Sequence, residues 1–217
     1  IIRDGEGRVE RIVEQKDANA AEAAVTECNS GFYCFDAQAL FEALEQVGSD
    51  NAQGEFYLTD VLEICRGTGR DVLALPASDV SECLGVNSRV QLAAVTCALQ
   101  SRINKEHMAA GVTMWDPTSV WIGPDVEIAP DVELLPQTFL LGKTQVGEDS
   151  VIGPNTRLTD TVVGSGCTID ETVAIEARID DEATCGPRAY LRPGAHLCEG
   201  AIILELWKLQ TADSVSY

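Results

Sequence analysis

The sequence predicts an α/β piece, a helical arm and a parallel β-helix, in that order along 217 residues. Three observations carry this. Helix-like and extended stretches alternate over residues 1–87, a run that Ser88 or Asn87 can cap continues to Gly111, and from Ile122 to Ile203 an aliphatic residue returns at nearly every sixth position.

In the first piece, residues 1–17 read as two extended stretches around a turn at Asp4–Gly7, with Val9, Ile12 and Val13 as apolar positions. Glu14 and Lys16 then share a face if the strand continues. Residues 18–27, rich in alanine and glutamate, suggest a short helix, and Cys28–Phe35 a buried strand. Leu40, Phe41, Leu44 and Val47 have helical spacing over 36–47, with Gly48 as a stop. The polar stretch NAQGEFYLTD (51–60) leads into an apolar segment at Val61, Leu62 and Ile64 that ends at Gly67 and Gly69. A strand is expected at Asp71–Leu75, closed by Pro76. The arm covers 88–111.

The β-helix is expected over 112–203. Its anchors are Ile122, Ile128, Leu134, Leu140, Val146, Ile152, Leu158, Val163, Ile169, Ile175, Ile179, Cys185, Leu191, Leu197 and Ile203. Four residues after most anchors stands a small or β-branched residue, Val162 and Val173 among them. A period of six is neither a helix nor a lone hairpin; each unit reads as one short strand plus one corner, with the anchor inward. Gly123, Gly147, Gly153, Gly164 and Gly186 follow anchors where the chain bends. After Ala201 the repeat fades into a divergent tail, 204–217.

Bulk properties narrow the function. An apolar share of 45% and mixed charge exclude a disordered chain, and the length suits two domains. A net charge of −20 excludes a nucleic-acid backbone or an anionic membrane as partner. It also fits a chain adapted to a salty medium, for which stability rising with salt is the signature. No apolar run is long enough to span a bilayer, and no signal peptide opens the chain. Eight scattered cysteines without a CxxC pair, most among apolar neighbours, point to reduced thiols and a cytoplasmic location.

The segments VEQKDA (13–18), ECNSGFY (27–33), NAQGEFYLTD (51–60), GVNSRVQL (85–92) and LRPGA (191–195), followed by hexads, resemble one family. It is the bacterial bifunctional UDP-N-acetylglucosamine pyrophosphorylase / glucosamine-1-phosphate N-acetyltransferase family, and the resemblance covers residues 1 to about 201. It implies that 1–87 is the C-terminal part of a Rossmann-like nucleotidyltransferase domain, and that 112–203 is a left-handed parallel β-helix, the first coils of the acetyltransferase domain. The β-helix would assemble as a homotrimer. The hand comes from the resemblance alone, since the usual crossover rule gives the opposite one.

The resemblance also implies site residues. Glu14 and Asn29 contact the sugar of UDP-N-acetylglucosamine, Asn87 coordinates Mg²⁺, and Arg192 binds the amino-sugar phosphate. The residue types suit those tasks: a carboxylate and an amide can hold sugar hydroxyls, an amide oxygen suits magnesium, and a guanidinium fork suits phosphate. Each has a plainer role: Glu14 a solvated strand residue beside Lys16, Asn29 a turn former beside Gly31, Asn87 a helix cap, and Arg192 a corner arginine paired with a surface acid. NAQGEFYLTD reads as structural support for the sugar pocket.

The implied chemistry is UTP plus N-acetylglucosamine 1-phosphate giving UDP-N-acetylglucosamine and pyrophosphate, and acetyl transfer from acetyl-CoA to glucosamine 1-phosphate, feeding cell-wall and lipid A synthesis. The chain itself reads as a fragment, starting without methionine inside a strand-like stretch. The glycine-rich loop that cradles UTP and the aspartate that shares Mg²⁺ with Asn87 are expected before Ile1. The histidine general base and the coenzyme A groove are expected after Arg192, so the isolated chain is expected to be inactive. Two other readings stay open: a non-catalytic oligomerising scaffold, and another sugar-nucleotide pyrophosphorylase with a structural β-helix. The tail fits either a reading-frame slip or a capping segment. A hexapeptide carbonic anhydrase is excluded, because His107 and His196 are the only histidines.

Overall fold

The computed structural model describes residues 1–204 and the backbone of 208–209. The chain forms two compact units, Ile1–Gly85 and the residues from Val86 onward, so the helical arm belongs with the solenoid.

In the first unit, β1 (Ile2–Arg3) and β2 (Val9–Arg11) pair antiparallel around the Asp4–Gly7 turn. Helix α1 (Ala37–Leu44) starts where Asp36 accepts from Ala39 N at 2.9 Å, and α2 (Asp60–Gly67) follows the polar stretch. Their apolar stripes meet at Ala39, Ala43, Val61 and Cys65, flanked by Phe35, Leu40, Val47, Ile64 and Val72. Four small or medium side chains make a thin core.

Several expectations fail here for one reason. Cys28–Phe35 and Asp71–Leu75 form no strand, and residues 18–27 hold only a 3₁₀ turn at Glu22–Ala24. Cys28 and Cys34 are exposed, as are Phe32, Phe56, Leu73 and Leu75, the last at 91%. A strand forms when its N–H and C=O groups find a neighbouring strand, and among the described residues of this unit none runs beside these segments. The only sheet described there is β1–β2, so no Rossmann-like parallel sheet is present among the described residues.

The second unit opens with α3 (Arg89–Ala109), capped by Ser88 Oγ accepting from Gln91 N at 3.2 Å. The first coil follows as β3 (Thr113–Met114), β4 (Trp121–Ile122) and β5 (Glu127–Ile128). From there the chain winds as a parallel β-solenoid of about five turns, with three sheets of six, five and six strands. One inward column is Met114, Leu134, Ile152, Ile169, Cys185 and Ile203. The second is Ile122, Leu140, Leu158, Ala174 and Leu191, and the third Ile128, Val146, Val163, Ile179 and Leu197. Most of these side chains are wholly buried and form one continuous core. Lys208–Leu209 adds a strand beside Tyr190–Leu191; otherwise the frame-slip and cap readings of the tail lie outside the described residues.

The structure corrects the anchor series at one place. Ala174, not Ile175, occupies the inward site, and Ile175 is half-buried on the flank. The buried small residue also stands two before each anchor rather than four after the last. Where a coil shortens by one residue, the two rules differ: Thr161 and Thr172 are buried, whereas Val162 is 40% exposed and Val173 half-buried. Alternation explains it, since residues two apart on a strand share a face.

Those small residues also serve the corners. Thr138 Oγ1 donates to Leu135 O at 2.8 Å, Thr144 Oγ1 to Leu141 O at 2.7 Å and Thr172 Oγ1 to Asp170 O at 2.7 Å. Buried hydroxyls thus satisfy carbonyls that turn away from the sheets. The residue just before most of them takes positive φ, as at Asp131, Gln137, Asp149, Asn155, Asp160 and Glu182, while at Thr144 it is Gly142, two before. Gly147 is required by close approach: a Cβ there would lie 2.6 Å from Gly164 C in the next coil. Gly186 is required twice over, by φ 114° and by a Cβ position 1.8 Å from Asp170 O.

The first coil has no earlier coil to pair with, so polar backbone groups on that side, the Val120 carbonyl among them, need other partners. Helix α3 covers that end. Gln100 Nε2 donates to Val120 O at 2.6 Å and Thr118 O at 3.2 Å. Asn104 Nδ2 donates to Val120 O at 2.9 Å and Pro117 O at 2.8 Å, while Ile103 packs on the core.

Leu158→Ala is expected to cost about 2–5 kcal/mol in urea unfolding, whereas Ile175→Ala should cost under about 1 kcal/mol. Equal losses would restore Ile175 to the core. Gly186→Ala should cost at least about 1–3 kcal/mol.

Candidate functional site

Glu14 follows β2 at the point where the chain leaves the hairpin. Its carbonyl accepts from Asp17 N at 3.0 Å, closing a turn over residues 14–17, so the shared strand face with Lys16 does not form. Lys16 Nζ instead donates to Gln53 Oε1. The Glu14 side chain is half-buried.

The 51–60 loop is folded on itself and tied to that turn. Asn51 Oδ1 accepts from Gln53 N at 3.1 Å and Glu55 N at 3.2 Å. Asp17 Oδ1 accepts from Ala52 N at 2.7 Å, and Asp17 Oδ2 accepts from Tyr57 OH at 3.3 Å. Gln53 Nε2 donates to the same Tyr57 oxygen at 2.7 Å. Support by NAQGEFYLTD therefore has a concrete form, and its joint is Asp17, which motif reading passed over. An acid three residues after Glu14, able to close a local turn, was the available signal. Burial and then the charge of Asp17 push the Asp60 carboxyl up from its ordinary value. Thr59 Oγ1 is buried without a hydrogen-bond partner among the described residues, the kind of group a polar ligand satisfies.

Asn29 is exposed and shapes its own turn: Oδ1 accepts from Gly31 N at 3.1 Å and Nδ2 donates to Tyr33 OH at 2.6 Å. Its segment is held to β1 through Arg3, which bonds both oxygens of Glu27 at 2.7 and 2.6 Å. Among the described residues no hydrogen bond joins Glu14 to Asn29.

Asn87 and Arg192 belong to the second unit. Ser88 supplies the helix cap, and Asn87 contributes only its backbone N–H, donated to Gln91 Oε1 at 2.7 Å. Its exposed carboxamide is thereby spared from capping. Arg192 sits at the corner after Leu191, where Ala195 N donates to its carbonyl at 2.9 Å. Its exposed guanidinium makes no ion pair among the described residues, unlike Arg178 with Asp180 and Arg188 with Glu171. His196 Nε2 lies 2.7 Å from Asp180 Oδ2, and this contact, then Arg178, holds the Asp180 carboxyl below its ordinary value.

Comparison with known proteins decides the relationship. The bifunctional protein GlmU of Lactobacillus gasseri is 48% identical over 213 residues, covering 98% of this chain. Over nearly its whole length this chain is similar to GlmU proteins. The Lactobacillus helveticus GlmU is 46% identical over 213 residues and the Brevibacillus brevis GlmU 46% over 212, each again across 98% of the chain. The chain spans about half, 46%, of the length of these GlmU proteins. No family model matches it.

The first unit depends on charge. Arg66 beside Asp4, the amide of Asn19 and then Arg11 at Glu22, and Arg3 beside Glu27 all hold those carboxyls below their ordinary values. Groups depressed in the folded state stabilise it above their unfolded pKa and lose that contribution as pH falls. Amide dispersion of residues 1–85 should therefore collapse as pH drops below about 4. Trp115 and Trp121, in the solenoid, should report retained structure, and Arg66→Gln should raise the midpoint of the first transition. A single transition insensitive to Arg66 would contradict this.

Proposed function

We propose that the chain carries part of the sugar-binding side of a uridyltransferase domain and the first coils of an acetyltransferase domain, as in a bifunctional GlmU enzyme. The observation that carries this reading is identity of 46–48% across 98% of a chain containing both units. The first unit would work on UTP and N-acetylglucosamine 1-phosphate, releasing pyrophosphate and UDP-N-acetylglucosamine. The solenoid would take glucosamine 1-phosphate, with acetyl-CoA as co-substrate.

Glu14 and Asn29 would hold the sugar through its hydroxyl and amide groups. Asn29 is already rigid, fixed by Gly31 and Tyr33, which limits the ordering needed on binding. Arg192, exposed and unpaired among the described residues, is free to meet a phosphate bidentately. Asn87 fits Mg²⁺ as a single hard donor whose amide oxygen is not used by the cap. No group of three acidic, histidine or cysteine side chains that could hold a metal occurs among the described residues, so the aspartate expected before Ile1, phosphate oxygens and water would complete the shell. When bound, Mg²⁺ neutralises phosphate charge.

The solenoid reads as left-handed and trimeric on the same ground. Its outward Trp121 and Phe139 stack at 6.5 Å and 5°, offering an apolar face suited to another copy. Among the described residues no helix is long and apolar enough to cross a membrane, and all eight cysteines are free, which suits a reducing cytoplasm.

A scaffold reading draws on the contrast between the continuous solenoid core and the thin core of the first unit. Assay separates them: the purified 217 residues should shift the amides of Glu14 and Asn29 on adding UDP-N-acetylglucosamine without turning over UTP. Absence of any shift would favour the scaffold, and turnover would show that the chain holds a complete site. Sedimentation equilibrium should give three times 23.3 kDa, and a monomer would refute the trimer.

A further inference from the structure

We infer that Asp17 is the positioning residue of the sugar site, locking the Glu14 turn to the 51–60 loop; this rests on the sugar-binding reading of Glu14 given above.

Two stretches of chain meet at this residue, the 14–17 turn through its main chain and the 51–60 loop through its side chain. Its own N–H closes the 14–17 turn onto the Glu14 carbonyl at 3.0 Å. One carboxylate oxygen accepts from the Ala52 N–H at 2.7 Å, and the other accepts from the Tyr57 hydroxyl at 3.3 Å. Residues 52 and 57 lie 35 and 40 positions away in sequence, so both bonds span distant parts of the chain. The Asn51 bonds that shape the loop are all local and would survive without Asp17. Lys16 to Gln53 is a parallel tie between two side chains, whereas Asp17 bonds a backbone N–H of the loop.

Asp60, at the first turn of α2, lies near enough that burial and then the charge of Asp17 push its carboxyl up from its ordinary value. Both Asp17 oxygens bond the 51–60 loop and its main chain ends the Glu14 turn, so its effect on the sugar runs through the placement of Glu14. Glu14 sits on a short connection outside any strand or helix and needs such a tie to keep its carboxylate in place.

The test uses the 217-residue chain with Asp17→Ala and Asp17→Asn. Asp17→Ala should raise amide exchange at least about tenfold at both 14–17 and 51–57 while α1 and α2 keep their protection, and should weaken UDP-N-acetylglucosamine binding about tenfold, read from the Glu14 and Asn29 amides. Asp17→Asn keeps one oxygen for the Ala52 N–H and should recover part of both. Unchanged exchange at either segment, or unchanged affinity despite release of both, overturns the proposal. If Asp17→Ala unfolds the unit, Asp17→Asn with full affinity and full protection overturns it, and Asp17→Asn with intermediate values supports it. Release of both segments in a chain whose wild type binds no UDP-N-acetylglucosamine sinks the sugar reading, and the positioning role with it, leaving Asp17 a purely structural tie.

Discussion

The larger of the two units depends throughout on vertical hydrogen bonding between successive solenoid coils. Each strand donates to the coil that follows, as in Phe139 N to Thr156 O at 2.8 Å and Arg157 N to Thr172 O at 2.8 Å. Neighbouring coils are thereby held at the spacing of paired strands, about 4.8 Å. At that spacing like positions stack on like positions, and any side chain at a corner meets the corner above it. Inward columns of aliphatic residues follow, as do the hydroxyls that satisfy the corner carbonyls and the glycines at 147 and 186 where a Cβ would strike the next coil.

The same bonding creates an end problem, and α3 resolves it at one end. Gln100 and Asn104, two amides four residues apart on one helix face, place their donors on carbonyls that no earlier coil can reach. Burying two amides is costly unless they bond, and here that requirement fixes where the helix lies on the first coil. The arm is thus part of the solenoid unit rather than a tether.

The first unit is built on a different balance. With small side chains at the meeting of α1 and α2, it relies on ion pairs such as Arg66 with Asp4 and on polar ties between loops. Such contacts position loops well but stabilise weakly when solvent reaches them. Polar loops held by directional bonds suit the recognition of a hydrophilic ligand, and the exposed apolar residues Leu73, Leu75 and Phe56 leave a surface fit for covering.

Sequence alone determined the solenoid, because a period near six recurs in every coil and each repeat tests the last. It also brought out the likeness to GlmU proteins, through five motifs in order, and the capped arm. It misplaced Ile175 because one short coil moved the inward site to Ala174, and only coil pairing reveals which of two adjacent residues faces in. It expected strands at 28–35 and 71–75 from apolar composition, yet a strand is a relation between two segments and the tertiary structure supplied no partner. The residue types of Glu14, Asn29, Asn87 and Arg192 were legible, but their freedom was not. That Ser88 rather than Asn87 caps α3 is settled by local backbone geometry, whereas the absence of an ion pair at Arg192 among the described residues and the tie Asp17 makes to the 51–60 loop depend on distances between segments far apart in the chain.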